Sequence, residues 1–125
     1  MGSNNPGLAK NYATGAAVAG RRVVKFSADL TVVQAAAATD LSIGVSDRLG
    51  AASGERCDVY REGIVEVDAG GTVTRGKKVT SDADGKVVDA APGAGANVQI
   101  IGVAEISGVS GDIVAILLAP SVMQG

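Results

Sequence analysis

From Arg22 onward the chain runs in short stretches of Val, Ile and Thr, broken roughly every eight to twelve residues by clusters of Gly, Asp, Asn or Ser. That rhythm predicts an all-β fold. Strands are expected at Val23 to Phe26, Thr31 to Gln34, Ser42 to Ser46, Arg56 to Arg61 and Ile64 to Val67, and again at Lys78 to Thr80, Lys86 to Asp89, Val98 to Glu105 and Asp112 to Leu118. Helix is expected to be nearly absent, because the one alanine run, Ala35 to Ala38, is too short to offset the cost of helix nucleation. Two turns carry specific chemistry. Asp84-Gly85 supplies the positive φ angles of a tight hairpin, and Ser110-Gly111 forms a glycine-based β-turn.

Residues 1–20 are rich in Asn, Gly and Ala and show neither a helical nor an alternating period, so they are read as a flexible N-terminal arm. Residues 21–125 form one β domain. Sliding the chain against itself by about 55 to 58 residues aligns five blocks in order. Gly20-Arg21-Arg22-Val23 meets Gly76-Lys77-Lys78-Val79, Thr31-Val32-Val33 meets Lys86-Val87-Val88, and Ala35-Ala36 meets Ala90-Ala91. Ile43-Gly44-Val45 then meets Ile101-Gly102-Val103, and Ser53-Gly54-Glu55 meets Ser110-Gly111-Asp112. The alignment predicts an internal duplication with repeats at about 20–70 and 71–120. Two half-meanders related by a pseudo-twofold axis would share one core as a small antiparallel β-barrel or sandwich. Val45, Val103, Ile43 and Ile101 are expected to be buried at equivalent places, with Gly44 and Gly102 at close backbone approaches.

Composition narrows what such a fold can do. The 46% apolar fraction is mostly Ala and Val, with one Phe, two Tyr and no Trp, so the core is thin and gains from neighbours. A net charge of -2 offers no basic surplus for a phosphate backbone, so no nucleic-acid partner is expected. No run is long and apolar enough for a membrane helix, and no secretory leader pattern opens the chain, which reads as a soluble, cytoplasmically made protein. The single cysteine, Cys57, alternates with Val59 and is expected to be a buried, inert thiol.

Without histidine, the Ser-His-Asp and Cys-His arrangements are excluded and the usual zinc sites lack a ligand type. Glu66 and Asp68 alternate with Val65 and Val67 as on a half-solvated strand. Asp82-Ala83-Asp84-Gly85 resembles the opening of a calcium loop but lacks its closing glutamate, since the position eleven residues on is Gly93. No cofactor, metal or catalytic residue is therefore assigned. Arg21, Arg22, Lys25, Lys77 and Lys78 are the basic clusters, suited either to protecting strand edges or to docking on an acidic protein. Two other classes stay open: a biotinyl- or lipoyl-like carrier, with Lys86 beside the Asp84-Gly85 turn as its candidate lysine, and an enzyme working with carboxylates alone.

The segments Ser3-Asn4-Asn5-Pro6-Gly7-Leu8-Ala9-Lys10-Asn11-Tyr12, Ile43-Gly44-Val45-Ser46-Asp47, Gly50-Ala51-Ala52-Ser53-Gly54-Glu55-Arg56 and Gly63-Ile64-Val65-Glu66-Val67 resemble, in that order, the phage capsid cement or decoration proteins. Gly70-Gly71-Thr72-Val73-Thr74-Arg75-Gly76, Thr80-Ser81-Asp82-Ala83-Asp84-Gly85-Lys86 and Ile101-Gly102-Val103-Ala104-Glu105 continue the likeness. The resemblance implies a structural protein on the outer surface of an assembled phage head, made in the host cytoplasm, whose partners are the major capsid protein and copies of itself. A homotrimer is the expected assembly, with a dimer as the alternative. The candidate capsid-contact residues are Asn4, Asn5, Pro6, Leu8, Lys10, Tyr12, Arg21 and Arg22.

Overall fold

The computed structural model describes residues 5 to 125. Every regular element among them is a strand: β1 (Asn5–Pro6), β2 (Ala9–Thr14), β3 (Val23–Ala28), β4 (Thr31–Gln34), β5 (Ser42–Ser46), β6 (Arg56–Tyr60), β7 (Gly63–Asp68), β8 (Lys78–Ser81), β9 (Val87–Asp89), β10 (Asn97–Ala104) and β11 (Ile113–Gln124). The strands fall into two units. β2, β4, β3, β5 and β6 close into a small barrel, in which β2 and β4 run parallel and the other neighbours antiparallel. The second unit is a six-stranded sheet ordered β1-β7-β11-β10-β8-β9.

The two units share one pairing scheme. In the first, β3 pairs with β4 and β5, β5 with β6, and β6 with β2. In the second, β8 pairs with β9 and β10, β10 with β11, and β11 with β7. Registers follow: Val24 faces Gly44 as Val79 faces Gly102, and Ser46 faces Val59 as Ala104 faces Ile116. The parallel closure of the barrel, Thr14 to Val32, has its counterpart in a single parallel bridge from Ala69 to Val87. Antiparallel bridges Val18 to Ala51 and Val73 to Gly108 also correspond.

Two sequence expectations are corrected here. Residues 1–20 are not an arm throughout, because Ala9–Thr14 is a barrel strand paired on both edges, with Tyr12 and Val18 in the core. Its inward positions are only Tyr12 and Thr14, set among small or polar residues, and so short an alternation leaves no period to read. The division at about residue 70 also moves, since β7 pairs into the second sheet and the units part near Arg61 and Glu62.

Local chemistry explains the turns. Gly85 adopts φ +72, and Asp82 accepts the Asp84 and Lys86 amides on Oδ1 at 2.8 and 3.0 Å, so the acidic loop is spent on the hairpin. Gly111 adopts φ +92 with the Asp112 amide donating to the Val109 carbonyl. Tyr12, Val18, Val24, Val32, Cys57 and Val59 fill the barrel. A larger core holds Val65, Val67, Val79, Val87, Ile101, Val114 and Ile116 of the second unit together with Val23, Ala35 and Val45 from the outer face of the barrel. The first unit thus lends its outside to the inside of the second.

Candidate interaction surface

The candidate contact residues do not gather on one patch. Asn4 lies outside the described residues, and Asn5 and Pro6 form the short strand paired with Ile64 and Gly63. Leu8 and Lys10 are exposed near one end of the barrel, where the Leu8 carbonyl accepts the Arg61 amide at 2.7 Å. The Lys10 ammonium lies 5.4 Å from the centre of the Tyr12 ring. Tyr12 itself is a core residue at 2% exposure, its hydroxyl accepting Arg61 Nη1 at 2.6 Å and its ring meeting Phe26 edge-on at 5.6 Å. The Arg61 guanidinium in turn lies 6.0 Å from the Phe26 ring centre, so one aromatic pair and two cations cap this end of the barrel.

Arg21 and Arg22 are engaged between the units. Their Nε atoms donate to the two carboxylate oxygens of Asp68 at 3.2 and 3.3 Å, and Arg22 Nη1 reaches the Asp84 carbonyl at 3.3 Å. The strand registers, in which Val24 and not Val23 corresponds to Val79, correct the first aligned block by one residue and make Gly76 the counterpart of Arg21, which holds φ +56, a left-handed angle that Gly76 adopts at no steric cost. Beside Arg21, Ser46, Asp47, Arg48, Leu49, Tyr60 and Glu66 complete a polar recess of about 300 Å³. The Ser46 hydroxyl there is spent on the backbone, accepting the Arg22 amide at 3.0 Å and donating to the Ala19 carbonyl at 2.8 Å.

Two further titratable groups, Cys57 and Asp40, lie in the first unit. Burial first, then the Asp47 and Asp58 carboxylates, push the Cys57 thiol up to about 11, which leaves it a poor nucleophile. Burial opposes ionisation of Asp40, but the Ala36 amide, the Lys25 ammonium at 2.9 Å and the Ala37 amide together hold its carboxyl below the ordinary range. The Asp84-Gly85 tip does not project as a carrier hairpin would. A Cβ placed on Gly85 would stand 2.7 Å from Gln34 Cγ and 3.1 Å from the Val23 carbonyl, and the Val23 amide donates to the Gly85 carbonyl at 2.7 Å. Lys86 therefore follows a tip pressed against the barrel.

The surface that sequence reasoning missed is apolar. Phe26, Leu30 and Leu41 are exposed by 43, 63 and 72%; Phe26 and Leu41 border a groove of about 690 Å³ walled by Lys25, Val33, Asp40 and Ile43, and Leu30 lines a recess that adjoins it at Phe26. Leu30 holds φ +53 at the β3–β4 turn, where the corresponding residue of the other unit is Gly85. A leucine in that conformation costs roughly 1 kcal/mol relative to glycine and exposes a large side chain as well. The readable signal was a leucine in a turn position that wants glycine.

Among the described residues the large apolar side chains Phe26, Leu30 and Leu41 stand at the surface. Comparison with known proteins gives the family. The phage cement protein family matches residues 4–112, and the chain belongs to that family, a family of structural phage-head proteins. No curated protein matches the chain. Among solved structures, the head fiber gp8.5 N base in bacteriophage phi29 superposes with a TM-score of 0.69 at 19% identity, over 90% of this chain and 93% of that one. At that identity the likeness is one of fold.

Proposed function

We propose that this protein decorates the outer surface of an assembled phage head and stabilises the shell, without catalysing a reaction. The family match over residues 4–112 carries the reading. Two features of the fold support it: side-chain chemistry committed to structure, and large apolar residues held at the surface. Its partners in this reading are the major capsid protein and further copies of itself, as a homotrimer in preference to a dimer, on the outer capsid surface of the virion, the protein being made in the host cytoplasm. The two units, in turn, descend from one duplicated five-strand unit, a view supported by their common pairing scheme.

Of the candidate contacts, Leu8 and Lys10 are exposed, and in this reading they contact the shell together with Asn4, Asn5 and Pro6. Tyr12, Arg21 and Arg22 act indirectly, by holding the barrel and the joint between units in shape. Many weak contacts to a multivalent shell sum to persistent binding. Co-sedimentation tests the reading: the purified protein is expected to pellet with assembled, expanded capsids and to leave free capsid subunits unbound. Binding to neither rejects it.

A further inference from the structure

The two units meet through different surfaces, and each therefore leaves unused the surface that the other employs. Val23, Ala35 and Val45 of the first unit are buried in the core of the second. Around them the Gln34 amide donates to the Asp84 carbonyl at 2.7 Å, and the Ala38 carbonyl accepts the Gln99 amide at 2.8 Å. The receiving surface is thus Thr80, Ser81, Gly85, Gln99 and Ile101, of which all but Gln99 are buried.

The registers identify the counterparts of that receiving surface in the first unit as Lys25, Phe26, Leu30, Leu41 and Ile43. Lys25, Phe26, Leu41 and Ile43 line the open apolar groove, and Leu30 lines the recess that adjoins it at Phe26. In the same way, the counterparts of the inserted face are Lys78, Ala90 and Val103, with Leu117 in the place of Tyr60. Lys78 is exposed, Ala90 and Val103 are half-buried, and Leu117 is 42% exposed. The expectation that Ile43, Val45, Ile101 and Val103 are all buried fails on this asymmetry: Val45 and Ile101 are covered, while Ile43 and Val103 are only half-buried.

We propose that copies of this protein associate head to tail, the face around Lys78, Ala90, Val103 and Leu117 of one copy seating on the groove around Phe26, Leu30 and Leu41 of the next. A second copy is the occupant because the same backbone scheme already makes this contact once within each chain. Exposed Lys77 and Lys78 would approach exposed Asp29 beside Leu30, while Asp40 at the groove is already paired with Lys25. The left-handed, exposed Leu30 is accounted for as well: within the chain that position must be glycine to admit the barrel, whereas between chains it is a contact. Such a contact is heterologous, so it generates a closed ring or an open filament. It goes beyond the decoration reading and holds or fails in the absence of any capsid.

Sedimentation of the purified chain tests it. The unaltered protein is expected to form oligomers, and Leu41→Asp in the groove or Leu117→Asp on the opposite face to weaken association by about tenfold or more each. Circular dichroism melting checks that both variants remain folded. Leu30→Gly guards against misfolding effects, because it relieves a left-handed leucine while removing a contact: association is expected to fall with no loss of thermal stability. Mixed one to one, the Leu41→Asp and Leu117→Asp proteins each keep one intact surface and are expected to form heterodimers and nothing larger. A monomeric unaltered protein overturns the proposal. So does an oligomer sensitive to only one of the two faces, or a Leu41→Asp protein that self-associates normally but no longer binds capsids, which would assign the groove to the shell.

Discussion

Adding one methyl group at Gly102 probes the close approach on which the second unit is built. Gly102 lies in β10 opposite Leu118, and an ideal Cβ there would stand 2.2 Å from the Leu117 carbonyl oxygen, 3.0 Å from its carbon and 3.3 Å from the Leu118 Cα. All three are backbone atoms of β11, so no side-chain rotation relieves the clash. The strands must part by about 0.8 Å before the nearest contact reaches 3.0 Å. Forcing extra volume into a packed position costs about 1–3 kcal/mol, and here the strain falls on a ladder that also positions Ile101 and Ile116. Gly102→Ala is therefore expected to lose about 2 kcal/mol, a fall in Tm of roughly 5–8 °C for a chain of this size.

Gly44 is the internal replicate, since its Cβ would stand 2.2 Å from the Tyr60 carbonyl oxygen, and Gly44→Ala should fall by a similar amount. Gly93 is the control: its Cβ would meet nothing within 4 Å, and Gly93→Ala should match or slightly exceed the unaltered protein. Thermal and urea unfolding followed by circular dichroism read all three variants. A Gly102→Ala protein melting within a degree of the unaltered one would refute the argument, as would equal losses in all three.

Cys57 in the folded protein should react with a thiol reagent at neutral pH far more slowly than in urea, because a rise from 9.0 to about 11 alone cuts the thiolate roughly a hundredfold and burial adds to it; similar rates in both states would contradict this. For Asp40 the folded carboxyl titrates below its ordinary 3.8, so its pairing stabilises the fold above that value, and the benefit disappears as pH falls through the lower, folded one. Asp40→Asn should accordingly lower the urea midpoint near neutral pH and converge with the unaltered protein in acid, and a gap independent of pH would count against the Lys25 pairing.

Short strands rich in Val, Ile and Thr were legible from sequence. Thr31–Gln34 and Ser42–Ser46 fall where the alternation places them, and the Asp84-Gly85 turn follows from its chemistry. β2 was not legible, because Ala, Asn and Thr surround its one large inward residue, Tyr12. The end of β11 was not legible past Leu118, because Pro120 and Ser121 interrupt the apolar run, although the strand continues to Gln124. The interaction surface was illegible for a different reason. Ile43-Gly44-Val45 and Ile101-Gly102-Val103 are near-identical as sequence, and only the packing of one unit into the other decides that Val45 and Ile101 are covered while Ile43 and Val103 are not. Arg21 and Arg22 illustrate the same limit, since their basic pair reads as a docking patch until Asp68, some forty-five residues away, is brought against it.

The central claim, that this chain cements a phage head, is tested most directly by heating capsids. Particles stripped of the protein, and the same particles after the purified chain is added back, are warmed while release of packaged DNA is followed by dye fluorescence. A ligand that binds only the assembled shell stabilises it by mass action, in proportion to the sites filled. The account predicts that stripped particles open at lower temperature and that added protein restores resistance in step with occupancy. Particles that take up the protein and still open at the stripped temperature would contradict it.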